Sequence, residues 1–198
     1  MSQHWPQNWE VTMGLSQDDP VRLPLVQGSD GFSIYALDLM GQTELNSEIA
    51  TRLKERLAAY DFDMIVTAEA KAIGLAQSLA EQLAMPEYVV LRKSLKLYML
   101  DPVEVEVQSL TTKQHQHFYL GADKAALLKG KRVCILDDVL STGGTMRAIL
   151  HLAAQTGCTV VVIAVVLTEE KTWDKFSDVP VVSLGHIPLP GLSECPED

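Results

Sequence analysis

The chain has 198 residues, of which 47% are apolar, and this length and composition suit one globular domain with a sizeable core. Its formal net charge at pH 7 is -10. Binding to nucleic acid usually begins with Lys and Arg side chains that neutralise phosphates, so this charge argues against a nucleic-acid partner. We therefore expect a single domain over residues 1–198. Any phosphate that it binds should be held by the residues of one local site and not by a general positive charge.

The cysteines and the N-terminal segment indicate where such a protein works. The 3 cysteines lie far apart and give neither a disulfide framework nor a zinc-ligand spacing. The N-terminus lacks the basic region and apolar core of a secretion signal, and the longest largely apolar run, 158–167, is too short to span a bilayer. The sequence predicts a cytoplasmic protein with no membrane partner.

The first elements in chain order form a helix followed by a β-α-β unit. Apolar residues at four-residue spacing predict an amphipathic helix over 44–60, and a short apolar run predicts a buried strand over 64–68. Helical spacing returns over 71–84, and 88–91 is the next predicted strand. This order indicates two parallel strands joined by a crossover helix.

The next stretch departs from this pattern. Valines alternate with polar residues over 103–108, and residues 115–120 also have the composition of a strand. These two strands predict an antiparallel arm, which, with the loop before it, spans residues 93–120.

A second unit follows the arm. Residues 133–136 predict a strand, DDVLSTGG a turn, about 145–155 a helix, and 159–167 a further strand. Strands that alternate with helices predict an α/β fold, in which a parallel sheet has helices on both faces.

The segment VCILDDVLSTGGTM, residues 133–146, carries the clearest functional pattern. In open α/β sheets ligands bind beyond the carboxyl ends of strands, where this turn is predicted to lie. Consecutive glycines let the backbone approach a ligand, and hydroxyl groups at a helix N-terminus favour an anion. The predicted phosphate cup consists of Ser141, Thr142, Gly143, Gly144 and Thr145.

The two acids before the cup indicate a sugar beside the phosphate. Carboxylates repel a phosphate placed against them, so Asp137 and Asp138 are better suited to accept hydrogen bonds from the vicinal hydroxyls of a ribose. The sequence has neither the P-loop motif nor the G-x-G-x-x-G dinucleotide motif. The plain alternative is that the acids cap a helix and the glycines only make a turn.

The same segment resembles the phosphoribosyl pyrophosphate (PRPP) signature of the type I phosphoribosyltransferases, and the resemblance extends over about 64–176. It implies that Asp137 and Asp138 hold the ribose hydroxyls and that 141–145 holds the 5-phosphate. It also implies a Mg²⁺ cofactor, held mainly by PRPP with the two acids as candidate ligands. A flexible arm, a small N-terminal hood over 1–40 and a homodimer are further implications.

The resemblance assigns a pyrophosphate loop to TAEAKAIG, residues 67–74. Glu69, Ala70 and Lys71 would bind PRPP there, and a strained peptide is implied near the first two. Lys71 stands where arginine is usual, which keeps the positive charge but loses the bidentate hydrogen bonding of a guanidinium group. Ala72 stands where glycine is usual, which removes the backbone freedom of glycine. A polar turn that merely leads into a helix is the alternative.

A basic turn follows the second predicted strand and contains Arg92, Lys93 and Lys96. Considered alone, such a turn is as consistent with a solvated surface as with a binding site. In context it resembles the family's R-K-x-x-K region, which opens a mobile loop over PRPP. This makes Arg92 and Lys93 predicted PRPP ligands and Lys96 a candidate catalytic residue.

The base-binding residues are expected after the last predicted strand, where the resemblance assigns Lys171, Trp173 and Phe176 to purine contacts. A lysine ammonium can only donate hydrogen bonds, so it suits a 6-oxo acceptor and not a 6-amino group. Segment 109–114, SLTTKQ, resembles that of xanthine enzymes, and the E-Y-G segment of adenine enzymes is absent. The alternative is a charged loop in which Trp173 packs on the core.

The predicted function is that of a purine phosphoribosyltransferase of purine salvage, which favours a 6-oxopurine such as xanthine, guanine or hypoxanthine. Pyrophosphate departure through an oxocarbenium-like state needs no protein nucleophile, and Asp138 or Glu169 is a candidate for proton transfer. Two alternatives remain: an adenine phosphoribosyltransferase and a PRPP-binding regulatory protein without catalysis. The first 40 residues show no helix-turn-helix pattern, which favours the enzyme.

Other candidates carry weaker signals. His115 and His117 alternate on a predicted strand and could share a metal, although no third ligand lies nearby in the sequence. His186 is expected to pack or to cap, and not to react. Trp5 and Trp9 could either anchor the N-terminus or cover the base, and the sequence leaves both roles open.

Overall fold

The structure is a computed structural model that describes residues 5–15, 20–28, 31–108 and 115–192. The helices in these ranges are α1 (Thr43–Leu57), α2 (Ile73–Gln82), α3 (Ala122–Leu128) and α4 (Gly144–Thr156). The strands are β1 (Asn8–Val11), β2 (Val21–Gln27), β3 (Phe32–Tyr35), β4 (Met64–Ala68), β5 (Val89–Leu91), β6 (Val103–Gln108), β7 (His115–Leu120), β8 (Arg132–Leu140), β9 (Thr159–Glu169), β10 (Lys175–Phe176), β11 (Val179–Ile187) and β12 (Gly191–Leu192). None of the described helices is long and apolar enough to cross a membrane.

The central sheet has the strand order β10-β11-β9-β8-β4-β5. Its neighbouring strands are parallel except for the short antiparallel pair β10 and β11 at one edge. Every residue of β4 is buried, as expected of a strand that is covered on both faces. The predicted α/β fold with a parallel sheet is therefore confirmed.

Different elements cover the two faces of this sheet. On β8, Cys134 and Leu136 belong to a core cluster that also contains buried residues of α1 and α2. Val133 and Ile135, which alternate with them, belong to a second cluster that contains buried residues of α4. Successive side chains of a strand point to opposite faces, so the prediction of helices on both faces is also confirmed.

β6 and β7 form an antiparallel hairpin that packs against α4 and does not join the central sheet. Val105 and Phe118 are buried beneath it. The base of the hairpin is tied to the sheet through Arg92 and Tyr119, whose backbones exchange hydrogen bonds of 3.0 and 2.8 Å. The predicted antiparallel arm is confirmed, whereas segment 109–114 lies outside the described residues.

The N-terminal strands β1, β2 and β3 form a small separate sheet with β12. Trp5 and Trp9 pack around Tyr35, whose hydroxyl donates a 2.9 Å hydrogen bond to the carbonyl of Pro6. Both tryptophans also contact the core cluster on the side of α1 and α2. They therefore anchor the N-terminal segment on the domain, which is one of the two roles that the sequence leaves open.

Two central strands end later than the sequence predicts. β8 continues through Asp137 and Asp138 to Leu140, so the acid pair lies in the strand and not in the turn. β9 continues to Glu169. Both extensions persist because the two strands stay paired along this whole stretch.

Arg132 joins the amino ends of β4 and β8. Its backbone N–H donates a 2.9 Å hydrogen bond to the carboxylate of Asp63, and Nη2 donates another of 2.9 Å; the guanidinium also pairs with Asp61. In return, the N–H of Asp63 donates to the carbonyl of Arg132 at 2.8 Å. The hydrogen bonds from Arg132 lower the pKa of Asp63 to about 2. This ion pair fixes the register of the two strands where both begin.

We expect Asp63→Asn to lower the free energy of unfolding at neutral pH, because the substitution removes a carboxylate that the folded protein stabilises. The pKa of Asp63 in the folded protein is about 2, below the usual value of 3.8. The variant should therefore lose the full stabilisation above pH 3.8, and the difference in stability between the two proteins should shrink as the pH falls towards 2. Urea unfolding of both proteins across this range measures it, with the exposed Asp174→Asn as control. A difference that is independent of pH would contradict this account.

Candidate active site

Asp137 and Asp138 lie near the carboxyl end of β8, beside the loop that follows β4. The N–H of Asp138 donates a 2.9 Å hydrogen bond to Oδ1 of Asp137, and Oδ2 of Asp138 lies 3.2 Å from Nζ of Lys71. Burial of its carboxyl group and the neighbouring charge of Asp138 raise the pKa of Asp137 well above its usual value. The structure thus joins the acid pair to one of the predicted pyrophosphate-binding cations.

The predicted phosphate cup lies between β8 and α4. Its residue Gly143 has a φ of 77°, a left-handed conformation that glycine adopts readily. A Cβ atom at this position would lie 2.2 Å from Cε2 of Phe176, so the ring leaves room only for glycine. No side chain in the described ranges caps the N-terminus of α4, which leaves its first N–H groups available to an anion. The backbone therefore has a geometry suited to binding phosphate.

Glu169 ends β9 beside this loop and is 7% exposed. The hydroxyl of Ser141 is close enough to lower the pKa of this carboxyl group through hydrogen bonding. Burial raises the pKa of Glu169 above its usual value, and the smaller opposing effects of Ser141 and Lys71 do not cancel this rise. A carboxyl group that retains its proton more readily is suited to general acid–base catalysis.

The loop after β4 and the basic turn after β5 meet through Glu69. The peptide bond between Glu69 and Ala70 is cis. The carboxylate of Glu69 lies 2.8 Å from Nε of Arg92 and accepts a 2.8 Å hydrogen bond from the N–H of Lys93. The charge of Lys93 in turn lowers the pKa of Asp137, against the larger effects that raise it. These contacts gather both loops and the acid pair at one edge of the sheet.

Two further residues of these loops are Ala72 and Lys96. Ala72, which replaces the usual glycine, is fully buried, so its methyl group is accommodated by the core. Lys96 lies further along the basic loop, where its carbonyl accepts a 3.0 Å hydrogen bond from the N–H of Met99. No contact joins the side chain of Lys96 to the acid pair within the described residues, so its catalytic role stays a prediction.

The proposed base segment lies between β9 and β11, next to the phosphate cup. Nζ of Lys171 is 3.9 Å from the centroid of the Trp173 ring, and this ring is 5.1 Å from that of Phe176. Trp173 packs against the core cluster on the side of α4, as the alternative interpretation expects, but it stays partly exposed. Phe176 is only 4% exposed and contacts Gly143, so its ring supports the cup and is not open to a purine.

Arg147 is a site residue that the sequence analysis missed. It lies at the start of α4 and donates a hydrogen bond from Nη2 to the carbonyl of Thr142, inside the phosphate cup. The first turn of a helix is positively polarised and disfavours cations. An arginine so soon after a phosphate-type loop is therefore a signal that could have identified it.

Two of the histidines contact neighbouring side chains, whereas the side chain of His115 lies outside the described residues. Nδ1 of His117 lies 2.8 Å from Oε1 of Glu104 on the arm, and Nδ1 of His186 lies 3.0 Å from Oγ1 of Thr168. In the ranges that the structure describes, no three His, Cys, Asp or Glu side chains cluster around a possible metal position.

The fold and the site define a class of protein. A parallel sheet whose central strand carries an acid pair and continues into a glycine-rich loop at a helix N-terminus is the architecture of a phosphoribosyltransferase. The family model described as "Phosphoribosyl transferase domain" matches residues 41–187, and the chain belongs to this family.

Relatives of this chain include enzymes and a regulator of purine metabolism. A hypoxanthine/guanine phosphoribosyltransferase of Methanococcus voltae is 36% identical over 139 residues, which are 70% of this chain and 66% of that enzyme. The purine biosynthesis transcriptional repressor PurR of Bacillus subtilis is 25% identical over 178 residues, 90% of this chain and 60% of the repressor. The predicted membership of the purine branch is therefore confirmed.

A solved structure supports the same fold. The adenine phosphoribosyltransferase of Thermoanaerobacter pseudethanolicus matches with a TM-score of 0.72 at 22% identity. The match covers 83% of this chain and 95% of that enzyme.

We expect Asp137→Asn to raise the free energy of unfolding of the ligand-free protein at neutral pH. Ionising Asp137 is unfavourable in the folded state, and asparagine removes this charge while it keeps the oxygen that accepts from Asp138. The gain should disappear below the usual pKa of 3.8, where the carboxyl group is protonated in both states. Urea unfolding without ligand measures it, and a less stable variant at neutral pH would contradict the expectation.

Proposed function

We propose that this protein transfers the 5-phosphoribosyl group of PRPP to a 6-oxopurine, such as xanthine, guanine or hypoxanthine, and releases pyrophosphate. One observation carries this proposal: Nζ of Lys71 lies 3.2 Å from Oδ2 of Asp138. This contact puts a cation suited to pyrophosphate beside a carboxylate suited to ribose. The pyrophosphate and the ribose of PRPP, which the reaction separates, would therefore lie next to each other in one site.

PRPP would lie across the carboxyl ends of β4 and β8. The hydroxyls of its ribose would donate to Asp137 and Asp138, which need such donors because their carboxyl groups are crowded. Its 5-phosphate would accept from the N–H groups and hydroxyls of 141–145 at the N-terminus of α4. Its pyrophosphate would contact the predicted cations, which are Lys71, Arg92 and Lys93.

Mg²⁺ fits this site as an ion that the substrate holds in large part. It commonly binds one or two carboxylates together with substrate phosphates and waters. Asp137 and Asp138 lie side by side and would supply the carboxylates, and the described residues offer no complete metal cluster of their own. When bound, the ion would neutralise charge on the leaving pyrophosphate.

The contribution of the chain itself to the reaction is electrostatic. Cleavage of the bond between C1 and pyrophosphate leaves positive charge on the sugar ring and negative charge on the leaving group. Lys71, Arg92 and Lys93 would stabilise the leaving group in place of water. The proton that the purine loses would pass to Asp138 or Glu169, and the raised pKa of Glu169 supports its candidacy.

The base would contact Lys171 and Trp173. The ammonium of Lys171 is exposed and donates hydrogen bonds only, which suits a 6-oxygen. The indole N–H of Trp173 is buried and has no acceptor within the described part of the chain. An acceptor on the base would satisfy this donor, and the ammonium of Lys171 favours a purine that carries a 6-oxygen. The hypoxanthine/guanine relative supports the same choice.

We expect pyrophosphate release from PRPP and Mg²⁺ when xanthine, guanine or hypoxanthine is offered, with little release for adenine or uracil. Lys171→Gln should lower kcat/KM for the oxopurine by about ten-fold or more, because the site loses a charged donor to the 6-oxygen. Lys175→Gln is the matched control, since Lys175 is an exposed lysine of the same segment. Turnover with adenine alone, or equal losses in both variants, would exclude the role of Lys171.

We expect the double substitution Asp137→Asn with Asp138→Asn to abolish PRPP binding and to leave the fold intact, because the ribose hydroxyls lose both charged acceptors. Calorimetric titration with PRPP and Mg²⁺ measures the affinity, and circular dichroism monitors the fold. Asp174→Asn with Asp178→Asn removes the same charge from an exposed loop and should bind normally. Normal affinity in the site variant would refute the ribose assignment.

A second candidate function is a PRPP-binding regulatory protein without catalysis. The match to the repressor PurR supports it, since that match covers 90% of this chain. Lys71 and Ala72 in the pyrophosphate loop are departures from the enzymes that would suit binding without turnover. Tight PRPP binding with no pyrophosphate release for any base would favour the regulator over the transferase.

The homodimer implied by the family remains part of the proposal. The loop after β5 exposes the apolar side chains of Leu95, Leu97, Tyr98 and Leu100. Beside it lies a cavity of about 520 Å³, whose walls include Tyr88, Val90 and Leu120. An exposed apolar surface next to a cavity is a feature that association with a second copy would bury.

A further inference from the structure

The phosphate cup is held by two side chains that the proposed mechanism does not use. Arg147 donates a 2.9 Å hydrogen bond from Nη2 to the carbonyl of Thr142. Phe176, which comes from the short strand β10, is buried so closely against Gly143 that a Cβ atom there would lie 2.2 Å from its ring. The peptide between Thr142 and Gly143 is therefore contacted by both.

The hydrogen bond to Thr142 fixes the direction of the next N–H. A trans peptide is planar, and its carbonyl and N–H point in opposite directions. Because the carbonyl of Thr142 points to Arg147, the N–H of Gly143 must point to the other side of the loop. The two glycines give this loop the freedom to rotate the peptide, which would turn an acceptor towards the anion. The bond to Arg147 opposes that rotation.

Arg147 and Phe176 also constrain each other. The guanidinium carbon of Arg147 lies 5.8 Å from the centroid of the Phe176 ring, within the range of a cation–π interaction. Such a contact offsets the unfavourable position of a cation at a helix N-terminus. The orientation of the guanidinium therefore depends on the ring.

Phe176 reaches the base segment as well. Its ring lies 5.1 Å from the ring of Trp173, on which Lys171 stacks at 3.9 Å. The contacts thus form a column from the phosphate cup to the base segment, in which the two aromatic rings lie between the cations Arg147 and Lys171. Within this column Phe176 contacts both Gly143 of the cup and Trp173 of the base segment, whereas the contacts of Arg147 are with the cup and with Phe176.

We propose that Arg147 and Phe176 are positioning residues for the 5-phosphate subsite. Arg147 orients the peptide between Thr142 and Gly143, and Phe176 holds both this peptide and Trp173. The inference rests on the proposed function, because it takes the ligand of the cup to be a ribose 5-phosphate. It assigns different consequences to the loss of each side chain.

Calorimetric titration of the intact chain with ribose 5-phosphate, and separately with pyrophosphate, tests the role of Arg147. Arg147→Met keeps the apolar stem and loses the donors, so ribose 5-phosphate should bind about ten-fold more weakly. Pyrophosphate affinity and the urea midpoint should not change. His151→Ala is the control, since His151 is exposed one turn further along the same helix and should bind as the wild type does.

Steady-state kinetics separate the two residues. Arg147→Met should raise the KM for PRPP and leave kcat at saturating PRPP and the KM for the base unchanged. Phe176→Leu should raise both KM values, because its ring supports the cup and Trp173 together. If Arg147→Met does not fold, Arg147→Lys, which keeps the charge and loses the planar fork, should show the same direction of change.

Unchanged affinity of Arg147→Met for ribose 5-phosphate overturns the inference, as does an equal loss of pyrophosphate affinity. Absence of ribose 5-phosphate binding by the wild type overturns it too. A wild-type protein that binds ribose 5-phosphate but releases no pyrophosphate with any base counts against the transferase alone. The two failures are distinguishable because the binding measurement needs no turnover.

Discussion

The structure depends on how three carboxyl groups are kept together at one edge of a parallel sheet. Asp137, Asp138 and Glu169 lie at the ends of two neighbouring strands, and parallel strands bring their carboxyl ends to the same side. Burial raises the pKa of Asp137 and of Glu169, and repulsion from neighbouring acids raises both pKa values further. Lys71 offsets part of this repulsion. The ligand-free site is thus electrostatically unfavourable, and hydroxyl donors with a bound cation would relieve it.

The length of β8 and β9 determines how this crowding arises. Their pairing continues to Leu140 and Thr168, so the strands hold the acids in fixed positions near the carboxyl edge of the sheet. At the other end of β8, Arg132 holds the register with Asp63. A shift of one residue would turn every side chain of β8 to the opposite face. The geometry of the site is therefore set by strand register as much as by the loops.

Local patterns predicted the features whose residues are close in sequence. The β-α-β units follow from apolar periodicity, and the acid pair with its glycine loop is a continuous segment. The strand extensions, the N-terminal sheet and the contacts of Arg147 with Phe176 were not predicted. Each depends on segments that are distant in the chain, and β1 and β12 are too short to show a period. Sequence patterns report which face a residue occupies, whereas sheet register decides which residues meet.

The overall charge of the chain makes the local arrangement of cations more important. A net charge of -10 repels an anionic substrate at long range. Lys71 and Arg92 are held at the site by ion pairs with Asp138 and Glu69, and the backbone N–H of Lys93 also donates to Glu69. These acids hold the cations in place when no ligand is bound, at the cost of neutralising part of their charge. A substrate such as PRPP would therefore have to displace carboxylates from cations, and this exchange favours ligands that also offer hydroxyl donors to the released carboxylates.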